Sequence, residues 1–305
     1  MLVNAGAIST VFRGFNAAFN KGFEGAKSHH KRVATIVPSS AREENYGWLA
    51  QLPKMREWVG DRVIHSLALH GYAITNKLFE STIAVKRIDI EDDRYGVFSP
   101  IVQEMGRESA EHPDTLIFAL LGLGFATECY DGQYFFDTDH PVMDATDQVV
   151  SASNMQAGAG PAWYLLDTRR VIKPLIFQER AAYKPTVLNN EGDYNVFMRD
   201  EYLYGVRARV NAGFGLWQLA FGSKDDLIAD NYEAAREAMM SLRGDQGRPL
   251  GIIPDTLVVP PELEGDARRL INNGTRIVTV GADSVPVANE WAGTAEVIVS
   301  AFLAS

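Results

Sequence analysis

The spacing of apolar residues changes repeatedly along this chain, and each change predicts a different element. Phe12, Phe15 and Phe19, with Ala17 and Ala18 between them, fall at helical spacing and predict one short amphipathic helix. A polar, basic, His-containing run from Lys27 to Arg32 follows. Residues 1–45 therefore read as an arm. It is either a disordered tail or a segment ordered on a neighbouring subunit, and the second is preferred because it covers the phenylalanines. Residues 55–87 read as a long hairpin. Arg62 to Leu67 leads to a turn at His70-Gly71, Tyr72 to Thr75 follows, and Phe79 to Val85 is β-branched and partly alternating. Two strands alone are marginal, so Trp58, Tyr72 and Phe79 must bury their rings on something.

Ser99-Pro100 marks a helix start. Apolar positions continue through Ile101, Met105, Leu116, Leu120 and Leu123, and Pro113 is expected to kink or split that helix. Residues 144–161 read as a flexible loop. Residues 162–222 look strand-rich. Trp163–Leu166, Lys173–Gln178 and Leu216–Phe221 are short apolar runs, and Tyr204–Val210 alternates as an antiparallel strand with one polar face does. From Asn231 to Arg243, Tyr232, Ala235, Met239 and Leu242 form one helical stripe closed by Gly244. Asp255–Val259 reads as a buried strand stopped by Pro260-Pro261. A helix from Glu262 to Asn272 and strands at Arg276–Val280 and Ala295–Leu303 complete an α/β unit with its boundary near Lys224.

At 305 residues the chain has room for one elaborate domain or two, and its 46% hydrophobic and 22% charged composition is that of a folded protein. No apolar run nears the ~18 residues of a membrane helix. The N-terminal stretch lacks the continuous apolar core of a signal peptide. Cys129 is the only cysteine, so no intrachain disulfide forms, which fits folding in a reducing cytosol. The net charge of −10 is uneven: residues 1–35 carry +4 and residues 88–147 carry −12. A net acidic chain is a poor general DNA binder. The acidic block reads as a solvated helix face or as a surface that lies near DNA without adhering to it.

Candidate chemistry is sparse. Gly122-Leu123-Gly124 begins like a dinucleotide loop but sits inside an apolar helix and lacks the third glycine. There is no phosphate loop, no His-Glu-x-x-His and no nucleophile elbow. Asp131, Asp137, Asp139 and His140 are the best enzyme-like cluster. They read first as a polar turn, then as a divalent-cation site, and least as a catalytic centre. Lys77, a candidate for crosslinking to an asparagine, reads as an ordinary solvated lysine. No cofactor or metal is expected.

The order and spacing of several short motifs carry more information than any one of them. They are Tyr46-Gly47-Trp48-Leu49, Glu57-Trp58-Val59-Gly60, Gly71-Tyr72, Phe79-Glu80, Glu91-Asp92-Asp93, Gln103 to Arg107, and Tyr130-Asp131-Gly132-Gln133 with Phe136-Asp137. Trp163 to Asp167, Lys173 to Ile176, Tyr204-Gly205, Asn211-Ala212-Gly213, Leu257 to Pro261 and Asn289-Glu290-Trp291 continue the series. Together they resemble the major head subunit of Mu-like phages and prophages over essentially the whole chain. That resemblance implies an α+β, HK97-like capsid protein fold and the domains 1–50 (N-terminal arm), 51–88 (extended hairpin loop), 89–223 (peripheral domain with spine helix and β-sheet) and 224–305 (axial α/β domain). It implies a non-enzymatic subunit that self-assembles as hexamers and pentamers into an icosahedral head around double-stranded DNA. Expected partners are further copies of the chain, a portal, a scaffold or protease and a decoration protein, with no membrane. Phe15, Phe19, Trp58, Tyr72 and Phe79 would anchor neighbouring subunits, although each also suits the subunit's own core. Glu91, Asp92, Asp93, Glu104, Glu108 and Glu111 would face the lumen. An encapsulin-like cargo shell and a metal-dependent cytosolic enzyme are the alternatives.

Overall fold

The computed structural model of the chain describes residues 5–50, 71–92, 94–146, 148–244, 247–280 and 283–303. In chain order the helices are α1 (Ala5–Gly25), α2 (His30–Val33), α3 (Arg87–Glu91), α4 (Ser99–Gly122), α5 (Tyr194–Arg199), α6 (Ala229–Ser241) and α7 (Glu264–Asn272). The strands are β1 (Ala34–Pro38), β2 (Glu43–Asn45), β3 (Ala73–Thr75), β4 (Lys77–Lys86), β5 (His140–Met143), β6 (Val149–Ala152), β7 (Met155–Gln156), β8 (Trp163–Leu166), β9 (Leu175–Leu188), β10 (Glu201–Phe214), β11 (Ala220–Ser223), β12 (Arg243–Gly244), β13 (Arg248–Pro249), β14 (Thr256–Val259), β15 (Thr275–Val280), β16 (Asp283–Ala288) and β17 (Glu296–Val299).

Two sheets organise these elements. The first has the order β1-β9-β10-β4. Beyond the fully buried start of β9, Leu175–Gln178, its strands alternate between a buried and a more open face, as period-two patterning requires. Tyr202, Tyr204, Val206, Ala208 and Val210 of β10 are buried, while Arg207 between them is exposed. The second sheet runs β17-β14-β8-β11-β7. Its central strands β8 and β14 are buried at every position, which matches their uninterrupted apolar sequence.

The sheets run across the expected domain limits. The boundary at Lys224 divides a sheet, because β8 and β11 precede it while β14 and β17 follow it. Likewise β1 from the arm and β4 from the hairpin segment belong to the first sheet with β9 and β10. Tyr72–Thr75 does not pair with Phe79–Val85. Instead β3 pairs back to β2, which sets Asn45 opposite Ala73, and Tyr46 and Leu49 just beyond β2 are buried in the core. The first expected strand of the hairpin, Arg62–Leu67, and Trp58 lie outside the described residues. The expected loop at 144–161 contains β6 and β7, and β6 is anchored by antiparallel pairing to β5.

Helix α1 lies along α4, and the two backbones touch. A Cβ added to Gly22 would stand 1.9 Å from the Gln103 carbonyl oxygen, and one on Gly106 would stand 2.1 Å from that of Phe19. Only glycine permits such an approach. α4 also runs unbroken through Pro113, so the helix is not split there. An internal proline costs a helix about 3 kcal/mol. Burial of Val102, Met105, Ile117, Phe118 and Leu121 along the same helix outweighs that, at about 1.5–3 kcal/mol for each large apolar side chain.

Candidate functional site

The features expected to act are surfaces. Phe15 and Phe19 are 1% and 2% exposed and belong to a core shared by α1, α3, α4, β4 and β10. The Tyr204 ring lies 5.9 Å from that of Phe15 and 6.5 Å from that of Phe19, and its hydroxyl donates to Asn16 Oδ1 at 3.0 Å. Of the two placements expected for these phenylalanines, the structure shows the second: their apolar surface is buried within their own chain. Tyr72 is half-buried, and its hydroxyl accepts the Phe214 amide at 2.6 Å. Phe79 is also half-buried, with its ring 4.4 Å from that of His112. Lys77 is exposed in β4, and among the described residues no carboxylate pairs with it.

Behind α1 the chain is fastened to α4 by one carboxylate. Asp114, one residue beyond Pro113, accepts from Ser28 Oγ at 2.6 Å and from the His30 amide at 2.7 Å. The His29 amide reaches both of its oxygens, at 3.0 and 2.8 Å. Burial pushes this carboxyl up, but the bonds from His30, Ser28 and His29 outweigh it and hold the group below the usual carboxylate range. The basic run from Lys27 to Arg32 is thus no loose tail. It is an ordered turn into α2 and β1, capped from the side.

The acidic block divides by its cations. On the exposed side of α4, Glu104 and Glu111 pair with Arg107 at 2.5 Å each, and Glu108 pairs with the same guanidinium. Spacings of three and four residues bring these groups to one helix face. Glu91 pairs with Arg87 at 3.8 Å, Asp92 is exposed, and Asp93 lies outside the described residues. A count of carboxylates along the sequence misses that Arg107 is their common partner.

The enzyme-like cluster assembles only in part. His140 is fully buried, stacks on Trp217 at 3.9 Å between ring centroids, and bonds Asp131 Oδ2 through Nδ1 at 2.8 Å. Cys129, absent from the expected cluster, donates its thiol to Asp131 Oδ1 at 3.1 Å. The three ligating atoms lie within 4.8 Å of one another. Burial and the Asp131 carboxylate push the Cys129 thiol up, so it stays protonated at neutral pH, and it faces the carboxylate rather than the imidazole. That is the wrong order for a nucleophile and base. Asp137 instead accepts the Tyr134 and Thr138 amides, and Asp139 is exposed beside it. The polar-turn reading holds for these two residues.

The geometry is that of a structural subunit with an HK97-like capsid fold. A helix-on-sheet layer carries an arm helix, and a second sheet closes the body. The model of the Mu-like prophage major head subunit gpT family matches residues 8–303, and the chain belongs to that family. It is 43% identical to the Mu-like prophage FluMu major head subunit of Haemophilus influenzae, over 93% of each chain. It is 42% identical to the major capsid protein of Escherichia phage Mu, over 99% of this chain and 100% of that one. Among solved structures it resembles the procapsid of bacteriophage JBD30, with a TM-score of 0.79, 50% identity and coverage of 89% and 93% of the two chains. It also resembles the JBD30 capsid decorated with minor capsid protein trimers, with a TM-score of 0.71, 36% identity and 90% coverage of each. The chain is thus a major capsid protein of the Mu-like type and a component of the phage head. Among the described residues no helix is long and apolar enough to cross a membrane.

Proposed function

We propose that copies of this chain form hexamers and pentamers that close into an icosahedral head around a double-stranded DNA genome. Assembly takes place in the host cytoplasm, with a portal, a scaffold or protease and, as on the JBD30 capsid, a trimeric minor capsid protein. The observation that carries this reading is the match to phage head subunits across nearly the full length of both chains. The role is mechanical and not catalytic, and the protonated Cys129 thiol supports that part of it. Individual contacts are modest, and their number makes the shell strong through effective concentration. Trp58, Tyr72 and, in β4, Phe79 are the proposed anchors onto a neighbour.

In this reading Glu91, Asp92, Asp93, Glu104, Glu108 and Glu111 face the lumen, where carboxylates keep packaged DNA from adhering to the wall. The solvent-facing positions of Glu104 and Glu108 on α4 support it. Electron microscopy of the chain, expressed alone and with its neighbouring phage genes, tests the assembly. Closed shells, or rings of five or six, are expected, and a clean monomer under both conditions overturns the proposal. Replacing Glu104, Glu108 and Glu111 together by lysine is expected to impair DNA packaging or ejection. Unchanged DNA loading refutes the luminal placement.

A further inference from the structure

Cys129, Asp131 and His140 bring three kinds of donor together: a sulfur, a carboxylate oxygen and a ring nitrogen. Cys129 is 5% exposed and His140 fully buried, while the Asp131 side chain keeps 12% of its surface in contact with water. A tight turn holds the first two. The Cys129 amide donates to the Gln133 carbonyl at 2.8 Å, and the Gly132 amide donates to the Cys129 carbonyl at 3.2 Å. Gly132 closes the turn at φ 86°, a conformation open to glycine without a steric penalty. The Gln133 amide donates to Asp131 Oδ1 at 3.1 Å. The third donor, His140, begins β5, and its ring lies flat on Trp217 with 9° between the planes. Among the described residues its Nε2 has no partner, so the ring's polar contact is made through Nδ1, into the cluster. Each donor is oriented by its own element.

Charge and donor type both select an occupant. Where the imidazole is neutral, the cluster holds one carboxylate charge largely out of water, and no lysine or arginine among the described residues pairs with it. A divalent ion that displaces the thiol proton sets two positive charges against two negative ligands, and a buried charge is favoured only when paired. The proton balance closes: the thiol releases one proton to solvent, and the imidazole proton moves from Nδ1 to Nε2 as Nδ1 takes the metal. Calcium and magnesium take oxygen ligands, whereas a mixed sulfur, nitrogen and oxygen set suits zinc. Zinc bonds of about 2.3 Å to sulfur and about 2.1 Å to nitrogen and oxygen set tetrahedral ligands roughly 3.5 Å apart. Cys129 Sγ already lies 3.1 Å from Asp131 Oδ1, and His140 Nδ1 lies 2.8 Å from Oδ2. The sulfur and the nitrogen, within 4.8 Å of each other, have to close by roughly an ångström.

We propose that Cys129, Asp131 and His140 bind a zinc ion, with water in the fourth position, and that the ion clips the 129–133 turn to the start of β5. Its way in is past Asp131, the one ligand that meets solvent. An ion held by the folded chain and not by the unfolded one stabilises the fold by mass action. Asp137 and Asp139, bound up in their own turn or exposed, take no part. The proposal does not depend on the assembly reading above.

The test uses the purified chain, reduced, freed of metal with a chelator and titrated with cobalt(II) as the probe. The chain has a single cysteine, so a thiolate-to-cobalt charge-transfer band identifies Cys129 without any substitution. That band is expected at one cobalt per chain, together with the visible absorption of a tetrahedral ion, and zinc is expected to abolish both. Zinc is also expected to raise the melting temperature. Cys129→Ser and Asp131→Asn should each weaken zinc binding, read against a chromophoric chelator, by at least the roughly tenfold that loss of even a supporting partner costs. Saturating cobalt without a charge-transfer band overturns the proposal. So does zinc binding that both variants retain, and its loss in His29→Ala would then assign the ion to the arm. The cobalt band is read on the unmodified chain, so a variant that fails to fold leaves the test intact.

Discussion

The two sheets bury their cores in different ways. In the second sheet β8 and β14 are covered on both faces, and the five strands with α6 and α7 form a closed body. The first sheet joins that core where β9 begins, at Leu175–Phe177, while its other end, at Val85, Tyr202, Tyr204 and Val206, is covered on one face by α4 and by α1, a helix near the start of the chain. The lesson is one of separability. Its lid is a single amphipathic helix held by one row of rings, one glycine crossing and one carboxylate, so it can be loosened while the second sheet stays intact.

Matched core truncations sharpen that contrast most. Phe15→Ala and Trp163→Ala each remove a fully buried ring and are each expected to cost about 3–5 kcal/mol. Their patterns should differ. Hydrogen exchange on Phe15→Ala is expected to show lost protection across Ile8 to Phe23 while Leu165 and Val258 stay protected. Trp163→Ala should weaken protection throughout. Uniform loss in both variants would break the comparison.

Smaller effects are expected where the two helices cross. Gly106→Ala drives a methyl into the Phe19 carbonyl and is expected to destabilise by about 1–3 kcal/mol. Gly14→Ala, on the same helix α1 but with nothing within 4 Å, is expected to stabilise by about 0.5–1 kcal/mol. Urea midpoints that move the same way in both variants would contradict the backbone contact.

A further effect concerns acid. The folded Asp114 carboxyl ionises below its unfolded value, so the folded state holds fewer protons in that window. Its contribution is complete above about pH 4 and is lost as pH falls through the folded value. Asp114→Asn is expected to lower stability at pH 7 by about 1–3 kcal/mol and to flatten the acid limb of the melting curve. An unchanged acid limb would remove Asp114 from the arm's attachment.

Much of this is legible from the residues. Ser99-Pro100 begins α4, the unbroken apolar runs are β8 and β14, and Tyr232, Ala235 and Met239 are the buried stripe of α6. What periodicity does not say is what covers an apolar face. Phe12, Phe15 and Phe19 reveal a helix with one sticky side, but the cover is Tyr202, Tyr204 and Met105 of the same chain. Pro113 misleads because local propensity is weighed without the burial that overrides it. β16 escapes notice because Pro286 interrupts it, although proline is tolerated in a two-stranded ribbon. The expected site suffers from the same limit. Asp131 and His140 stand out in the sequence, but Cys129 and Arg107 are recognisable only once the fold brings them to their carboxylates.

The pairing of distant strands has a consequence for how the chain matures. β1 waits for β9, since Ala34 lies opposite Leu175, and β14 gains its outer neighbour only with β17. Contacts of such long sequence separation make folding slow, in the range of milliseconds to seconds. A nascent chain interrupted before Glu296 carries β14 as a raw edge, which invites mispairing. The subunit therefore reaches a finished surface late in synthesis, and incomplete copies are marked by an exposed strand.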